Sequence, residues 1–161
     1  MFKFYYNRNT KTNRKIIYII LSIVFIDQIS KRITYVYLQP QAVIPVINRV
    51  FYLNYFENSG VAFEILQKNT WLFLLITSIL IIIATYFVLK DTNISNAARL
   101  GKALIIGGLI GNLMDRVIYG FIIDFIDIFE CPVFNLADIS IVLGICILLY
   151  SILFNKHRTN I

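Results

Sequence analysis

Two aspartates in the carboxyl-terminal half of the chain have a residue type and a spacing that suit acid–base chemistry. Asp124 and Asp138 are separated by 13 residues, so one reversal of the chain can bring both carboxyl groups together. Two carboxyl groups in contact do not both ionise readily, and they share a proton. The ionised carboxylate can activate a water molecule while the protonated carboxyl polarises a carbonyl group. The pair therefore predicts hydrolysis of a peptide bond without a metal ion or a cofactor.

The spacing alone leaves other interpretations of these aspartates open. Asp138 is also well placed to be the N-cap of a helix, a position that aspartate favours, and Asp124 would then be an ordinary loop carboxylate. Asp127, one helical turn after Asp124, and Glu130 are alternative partners in a pair of acids.

The sequence does not provide the residues that other kinds of hydrolytic active site need. His157 is the only histidine and lies in a basic tail, so a zinc site or a catalytic triad built on histidine is excluded. Lys31 beside Ser30 or Ser59 suggests a serine–lysine hydrolase, but the spacing of these serines does not support one.

Further polar residues recur at helical spacing. Asn112, Asp115 and Arg116 lie on adjacent turns of one helix face, where the arginine can bind a carboxylate or a phosphate. Asp27 and Lys31 are four residues apart, which predicts a pair that neutralises itself.

The chain as a whole has the composition of a membrane protein. Of its 161 residues, 58% are hydrophobic and only 15% are charged, and the mean hydropathy is +0.73. We expect an all-α membrane protein, a bundle of four transmembrane helices with a small extracytoplasmic loop region that contains β-structure. Residues 1–161 are expected to form a single membrane domain, with helices at about 16–35, 71–89, 101–118 and 137–154 and outer loops at about 36–70 and 119–136.

The basic residues indicate an orientation. Ten of the 15 Lys and Arg residues lie in the amino-terminal tail, the loop at 90–102 and the carboxyl-terminal tail. The positive-inside rule then places both termini in the cytoplasm and the polar residues near the outer membrane face. The net charge of +6 therefore reflects topology, and no nucleic-acid partner is expected.

A different class of protein also fits part of this pattern. In a small transporter or channel subunit, the intramembrane carboxylates and Arg116 would line an ion path. Such a path predicts charges near the membrane midplane, often beside broken helices, whereas these charges are expected at one face. A scaffold protein would need no two carboxylates within reach of one water.

Five segments, in their order and spacing, resemble the motifs of the lipoprotein signal peptidases, also called type II signal peptidases. The segments are FIDQISK (25–31), ENSGVAF (57–63), GGLIGNLMDR (107–116), IIDFID (122–127) and FNLAD (134–138). The resemblance spans nearly the whole chain between Phe25 and Gly144. It implies an aspartic peptidase of the bacterial cytoplasmic membrane that cuts the signal peptide from prolipoproteins just before a cysteine bearing a diacylglyceryl group.

The resemblance also implies roles for individual residues. Asp124 and Asp138 correspond to the catalytic dyad. The residues expected to position the dyad or bind the substrate are Asn58, Gly60, Asn112, Asp115, Arg116, Asn135, Ala137, Asp27 and Lys31. The expected partners are diacylglyceryl-modified prolipoproteins and membrane lipids, with no metal or cofactor, and the protein is expected to act as a monomer.

One segment departs from the pattern of the resembled family. Val61 and Glu64 stand where small residues are commoner. We expect these side chains to narrow the substrate groove or to add a charge at its rim.

Overall fold

The computed structural model describes residues 2–39, 43–60, 70–90, 95–129 and 132–154, so Val61, Glu64 and Glu130 lie outside the described residues. The described chain is mostly helical, with a small sheet. Its elements in order are α1 (Phe2–Tyr37), β1 (Ile44–Ile47), β2 (Phe51–Asn58), α2 (Thr70–Lys90), α3 (Asn96–Tyr119), β3 (Ile122–Ile128) and α4 (Leu136–Phe154). Helix α3 is central, because it packs against α1, α2 and α4.

Helix α1 is longer than predicted. It contains 36 residues and begins at Phe2, whereas the sequence pattern placed its start near Ile16. A helix of this length extends over about 54 Å, well beyond the roughly 30 Å of a bilayer core. The apolar pattern marks the portion that can lie in lipid, but helical hydrogen bonding continues through the polar residues before it.

Three of the described helices are long and apolar enough to cross a membrane: Trp71–Val88, Asn96–Tyr119 and Leu136–Phe154. Helix α1 is different because Asp27, Lys31 and Arg32 interrupt its apolar stretch.

Burial along the helices is inverted relative to a soluble protein. Asp27 of α1 and Asp115 of α3 are 0% exposed, whereas large apolar side chains such as Ile82 and Leu153 are 66% and 68% exposed. Soluble proteins almost never bury carboxylates while leaving isoleucine and leucine outside in such numbers. The outer surface of the helices therefore suits lipid, and the polar side chains are protected within the bundle.

Small residues allow α3 and α4 to approach closely. The positions where Cβ atoms would lie on Gly101 and Gly144 are 2.7 and 2.6 Å from the other glycine's carbonyl oxygen. Larger side chains at these positions would therefore separate the two helices.

The sheet joins the two segments that were expected to be loops, at 36–70 and 119–136. Its strand order is β1-β2-β3 with antiparallel pairing, and a bulge in β2 lies between Leu53 and Phe56. Strands were expected only within residues 36–70, and the structure adds β3 from the second segment. The expectation of a mostly helical fold with a small amount of β-structure is confirmed. Pairing of β2 with β3 places Phe56 opposite Asp124 and Asn58 opposite Ile122.

Candidate active site

Asp124 lies in the middle of β3 and is fully buried. One carboxylate oxygen, Oδ2, accepts a hydrogen bond from Asn58 Nδ2 at 2.8 Å. The other, Oδ1, accepts from Asn135 Nδ2 at 2.6 Å. The strand pairing supplies the first donor and the start of α4 supplies the second, so both oxygens are held by amides from separate elements.

Asp138 is the third residue of α4 and takes part in a capping box with Asn135. The backbone N–H of Asp138 donates to Asn135 Oδ1 at 2.9 Å, and the backbone N–H of Asn135 donates to Asp138 Oδ2 at 3.3 Å. This reciprocal pattern satisfies two amide groups at the helix start. The N-cap is therefore Asn135, and the interpretation of Asp138 as the N-cap is wrong.

Two asparagine side chains connect the two aspartates. Asn112 Nδ2 donates to Asp138 Oδ1 at 2.8 Å, and Asn135 Nδ2 donates to Asn112 Oδ1 at 3.2 Å as well as to Asp124. The structure thus brings Asp124 and Asp138 into one cluster, together with the Asn58, Asn112 and Asn135 that the sequence singled out.

The environment of Asp124 changes its acidity. Burial raises the pKa of its carboxyl from 3.8 to about 7, and the negative charge of Asp138 adds to this effect. The hydrogen bonds from Asn58 and Asn135 favour the ionised form and oppose the shift. A carboxyl with a pKa near 7 can hold or release a proton at physiological pH, as acid–base catalysis requires.

Asp127 is excluded as the partner of Asp124 by the strand geometry. Successive side chains of a strand point to opposite faces, so residues 124 and 127 lie on opposite faces of the sheet. The suggestion that these acids are one helical turn apart is therefore wrong. The Oδ1 atom of Asp127 is buried, and no hydrogen-bond partner for it is found among the residues that the structure describes.

Arg116 lies at the edge of the aspartate cluster. It is half-buried, its guanidinium carbon is 5.0 Å from the centroid of the Phe73 ring, and it interacts electrostatically with Asp138 and Asp124. Within the described ranges this cation has no hydrogen bond or ion pair to a protein group. Its N–H donors therefore remain available to a bound molecule.

Gly60 supports the amide that binds Asp124. Its backbone N–H donates to Asn58 Oδ1 at 2.9 Å, which leaves the Asn58 NH₂ group to face the carboxylate. Gly60 has a φ of +85°, and a Cβ atom there would lie 2.6 Å from the Phe73 ring. Only glycine suits this position.

Lys31 is the centre of a second buried cluster. Its Nζ atom lies 2.9 Å from Asp27 Oδ2, from Asp115 Oδ2 and from Asn112 Oδ1. All three ammonium hydrogens therefore have acceptors. The predicted pairing of Asp27 with Lys31 is correct but incomplete, since the ammonium also binds two groups of α3.

Gln28 belongs to the same cluster and was not predicted. Its Nε2 atom donates to Asp115 Oδ1 at 2.9 Å and lies 3.2 Å from the carbonyl oxygen of Gly111 and 3.3 Å from Asp27 Oδ2. Its position between Asp27 and Lys31 in the motif FIDQISK was the available signal. Across the described ranges, no three His, Cys, Asp or Glu side chains are grouped so that they could hold a metal ion.

Comparison with known proteins identifies the family. Residues 19–154 match a family model described as signal peptidase (SPase) II. The chain belongs to the signal peptidase II family. Two of its relatives are lipoprotein signal peptidases: one from Clostridioides difficile (strain 630) is 40% identical over 89% of this chain and 97% of the relative, and one from Caldanaerobacter subterraneus subsp. tengcongensis is 43% identical over 86% and 95%.

A solved structure is also similar to the chain over most of its length. The chain is similar to a bacterial membrane enzyme determined by the in meso method at 1.9 Å resolution, with a TM-score of 0.81 and 29% identity. The match covers 88% of this chain and 94% of that one. The family resemblance and the membrane character expected from the sequence are confirmed, and so is the expectation of a protease.

Proposed function

We propose that this signal peptidase II removes the signal peptide of diacylglyceryl-modified prolipoproteins by cleaving the peptide bond just before the lipidated cysteine. The observation that carries the proposal is the pair formed by the fully buried Asp124 and the partly buried Asp138, which are joined through the amides of Asn112 and Asn135. The names of the relatives as lipoprotein signal peptidases support the substrate class.

The proposal includes α1 as a fourth membrane span, within a single membrane domain that acts as a monomer. Asp27 and Lys31 are buried against α3 and paired with each other, so lipid does not meet these charges. Arg32 is exposed, and its guanidinium carbon lies 5.5 Å from the centre of the Tyr35 ring near the end of the span, a position from which its long side chain can extend to the interface. Both termini would then lie in the cytoplasm and the aspartates near the outer face of the bacterial cytoplasmic membrane.

In the proposed reaction, Asp124 carries the shared proton and Asp138 is ionised. Water attacks the scissile carbonyl carbon and gives a proton to Asp138, while the Asp124 proton stabilises the developing charge on the carbonyl oxygen. The proton on Asp138 then passes to the nitrogen of the leaving cysteine as the C–N bond breaks. The raised pKa of Asp124 supports this division of roles.

Arg116 is proposed to hold the substrate beside the dyad. Its guanidinium stacks on Phe73 and faces the two aspartates, so its donors can bind a backbone carbonyl oxygen of the signal peptide. The acyl chains of the substrate would stay in the bilayer while the scissile bond reaches Asp124 and Asp138. This anchoring restricts the motion of the reacting groups before the chemical step.

Cleavage of a lipidated substrate tests the proposal directly. The purified protein in detergent is incubated with a diacylglyceryl-modified prolipoprotein and, as the matched control, with the same prolipoprotein carrying an unmodified cysteine. We expect a single cut before the cysteine and a kcat/KM at least about 100-fold higher for the lipidated form, because acyl chains contribute binding free energy for each buried methylene. Absence of cleavage of both substrates would contradict the proposal and favour a transporter.

The pH dependence of cleavage tests the role of Asp124. Since the pKa of its carboxyl is about 7, Asp124 loses the required proton as pH rises through neutrality. We expect kcat/KM to fall about tenfold per pH unit above about pH 8. Initial rates across pH 5–10 measure this limb, with re-assay at neutral pH as the control for unfolding. A rate that stays constant to pH 10 would show that Asp124 is not the proton donor.

A further inference from the structure

The cluster around Lys31 reaches the backbone next to both aspartates of the dyad. Asp115 Oδ2 accepts a hydrogen bond from the backbone N–H of Ile123 at 3.1 Å, and Ile123 immediately precedes Asp124. Asp27 Oδ1 accepts from the backbone N–H of Ala137 at 2.9 Å, and Ala137 immediately precedes Asp138. The same ammonium group binds both of these carboxylates.

We propose that Asp27, Lys31 and Asp115 form a clamp that sets the distance between Asp124 and Asp138, an inference that rests on the proposed catalytic role of that pair. One arm of the clamp, Asp115, holds β3, and the other arm, Asp27, holds the start of α4. The three residues are positioning residues, because they act on the dyad through the backbone and do not touch the substrate.

The geometry of the clamp makes it rigid. Lys31 is 2% exposed and both carboxylates are 0% exposed, so water does not compete for these hydrogen bonds. Each backbone N–H held by the clamp is one peptide unit, about 3.8 Å between α-carbons, from an aspartate of the dyad. A displacement of either arm therefore moves a reacting carboxyl, and a misplacement of about 1 Å can reduce a rate about 100-fold.

The third hydrogen bond of Lys31 orients a side chain of the dyad itself. Asn112 Oδ1 accepts from Lys31 Nζ at 2.9 Å, so the Asn112 NH₂ group must point the other way. It donates to Asp138 Oδ1 at 2.8 Å. The ammonium thus determines the orientation of the amide that binds Asp138, in addition to the two backbone positions.

Two glycines of α3 allow the clamp to be disturbed without changing a polar group. A Cβ atom on Gly111 would lie 2.5 Å from Asp27 Oδ2 and 3.4 Å from Ala137 Cβ. A Cβ atom on Gly107, one turn earlier, would lie 2.9 Å from Ile23 Cβ, and its three nearest neighbours all belong to this apolar side chain of α1. The two substitutions to alanine therefore introduce the same methyl group between α1 and α3, but only one displaces a clamp carboxylate.

The first experiment compares Gly111→Ala with Gly107→Ala by kcat and KM on the lipidated prolipoprotein, at equal concentrations of folded enzyme. We expect Gly111→Ala to lower kcat by about 30-fold or more with KM changed less than about threefold. Gly107→Ala is expected to keep kcat within about threefold of the parent. Equal kcat values for the two variants per folded molecule would overturn the clamp and leave only helix packing.

A second pair of variants decides the question even if Gly111→Ala does not fold. Asp27→Asn keeps an oxygen that can accept from the Ala137 N–H, whereas Asp27→Leu has none. We expect kcat of the asparagine variant to exceed that of the leucine variant by about tenfold or more. Equal values would overturn the arm to α4.

The parent enzyme separates failure of the clamp from failure of the proposed function. If the parent does not cut the lipidated substrate, the proposed function fails. If the parent cuts it and Asp124→Asn is silent, but neither variant pair differs, only the clamp fails.

Discussion

Asp124→Asn and Asp138→Asn are each expected to lower kcat on a diacylglyceryl-modified prolipoprotein by about four orders of magnitude. An amide has nearly the shape of a carboxyl, but it can neither take a proton from water nor carry the shared proton. Because the two groups act as one unit, loss of either removes most of the acid–base contribution, and the double variant is expected to be no slower than the single ones. Single-turnover cleavage in detergent measures the effect.

Asp127→Asn is the matched control for the dyad variants. It makes the same chemical change three residues along β3, on the face of the sheet opposite Asp124. We expect its kcat to stay within about threefold of the parent. Near-parental turnover in either dyad variant, or a silent Asp127→Asn, would show that the catalytic pair is wrongly assigned.

Lys31→Met is expected to lower the free energy of unfolding by about 3–5 kcal/mol. The substitution leaves Asp27 and Asp115 buried with like charges and without their ammonium partner, and removal of one member from a buried ionic group has a cost of this size. Methionine retains much of the apolar stem, so the loss reports mainly on the charge. Denaturant unfolding in detergent micelles, followed by the fluorescence of Trp71, measures it.

The neighbouring cation provides the control for Lys31. Arg32 is exposed, and its guanidinium carbon lies 5.5 Å from the centroid of the Tyr35 ring. Arg32→Met therefore removes a positive charge from the same helix turn but only an exposed cation–π contact, for which we expect less than about 1 kcal/mol. Similar losses for the two variants would refute a special role for the buried ammonium.

Local sequence patterns were sufficient for the helical framework. The predicted spans at 71–89 and 137–154 agree with α2 and α4 to within one residue at each end, whereas α3 begins five residues before the predicted span at 101–118. Long apolar runs identify the segments that lipid can surround, because the length and hydropathy of a segment depend only on its own residues. The same patterns missed the amino-terminal part of α1, because a polar segment outside lipid can also be helical.

Strand β3 shows where local reasoning failed. A short apolar run such as IIDFIDI does not distinguish a strand from a buried helical turn by its periodicity. Its conformation depends on pairing with β2, which lies more than 60 residues earlier in the chain. That pairing decides that Asp124 faces the amides of Asn58 and Asn135 while Asp127 faces the other side of the sheet.

The sequence by itself determined the residue types of this signal peptidase II site, because charged and amide groups in an apolar chain must be paired and the order of their motifs identifies the family. Only the tertiary structure decided how they act together. The contacts from Lys31 to Asn112 and from Asp27 to Ala137 join residues 81 and 110 positions apart. Neither helix alone dictates such contacts. They exist because α1, α3 and α4 pack closely enough to exclude water, and a buried hydrogen bond must then be made within the protein.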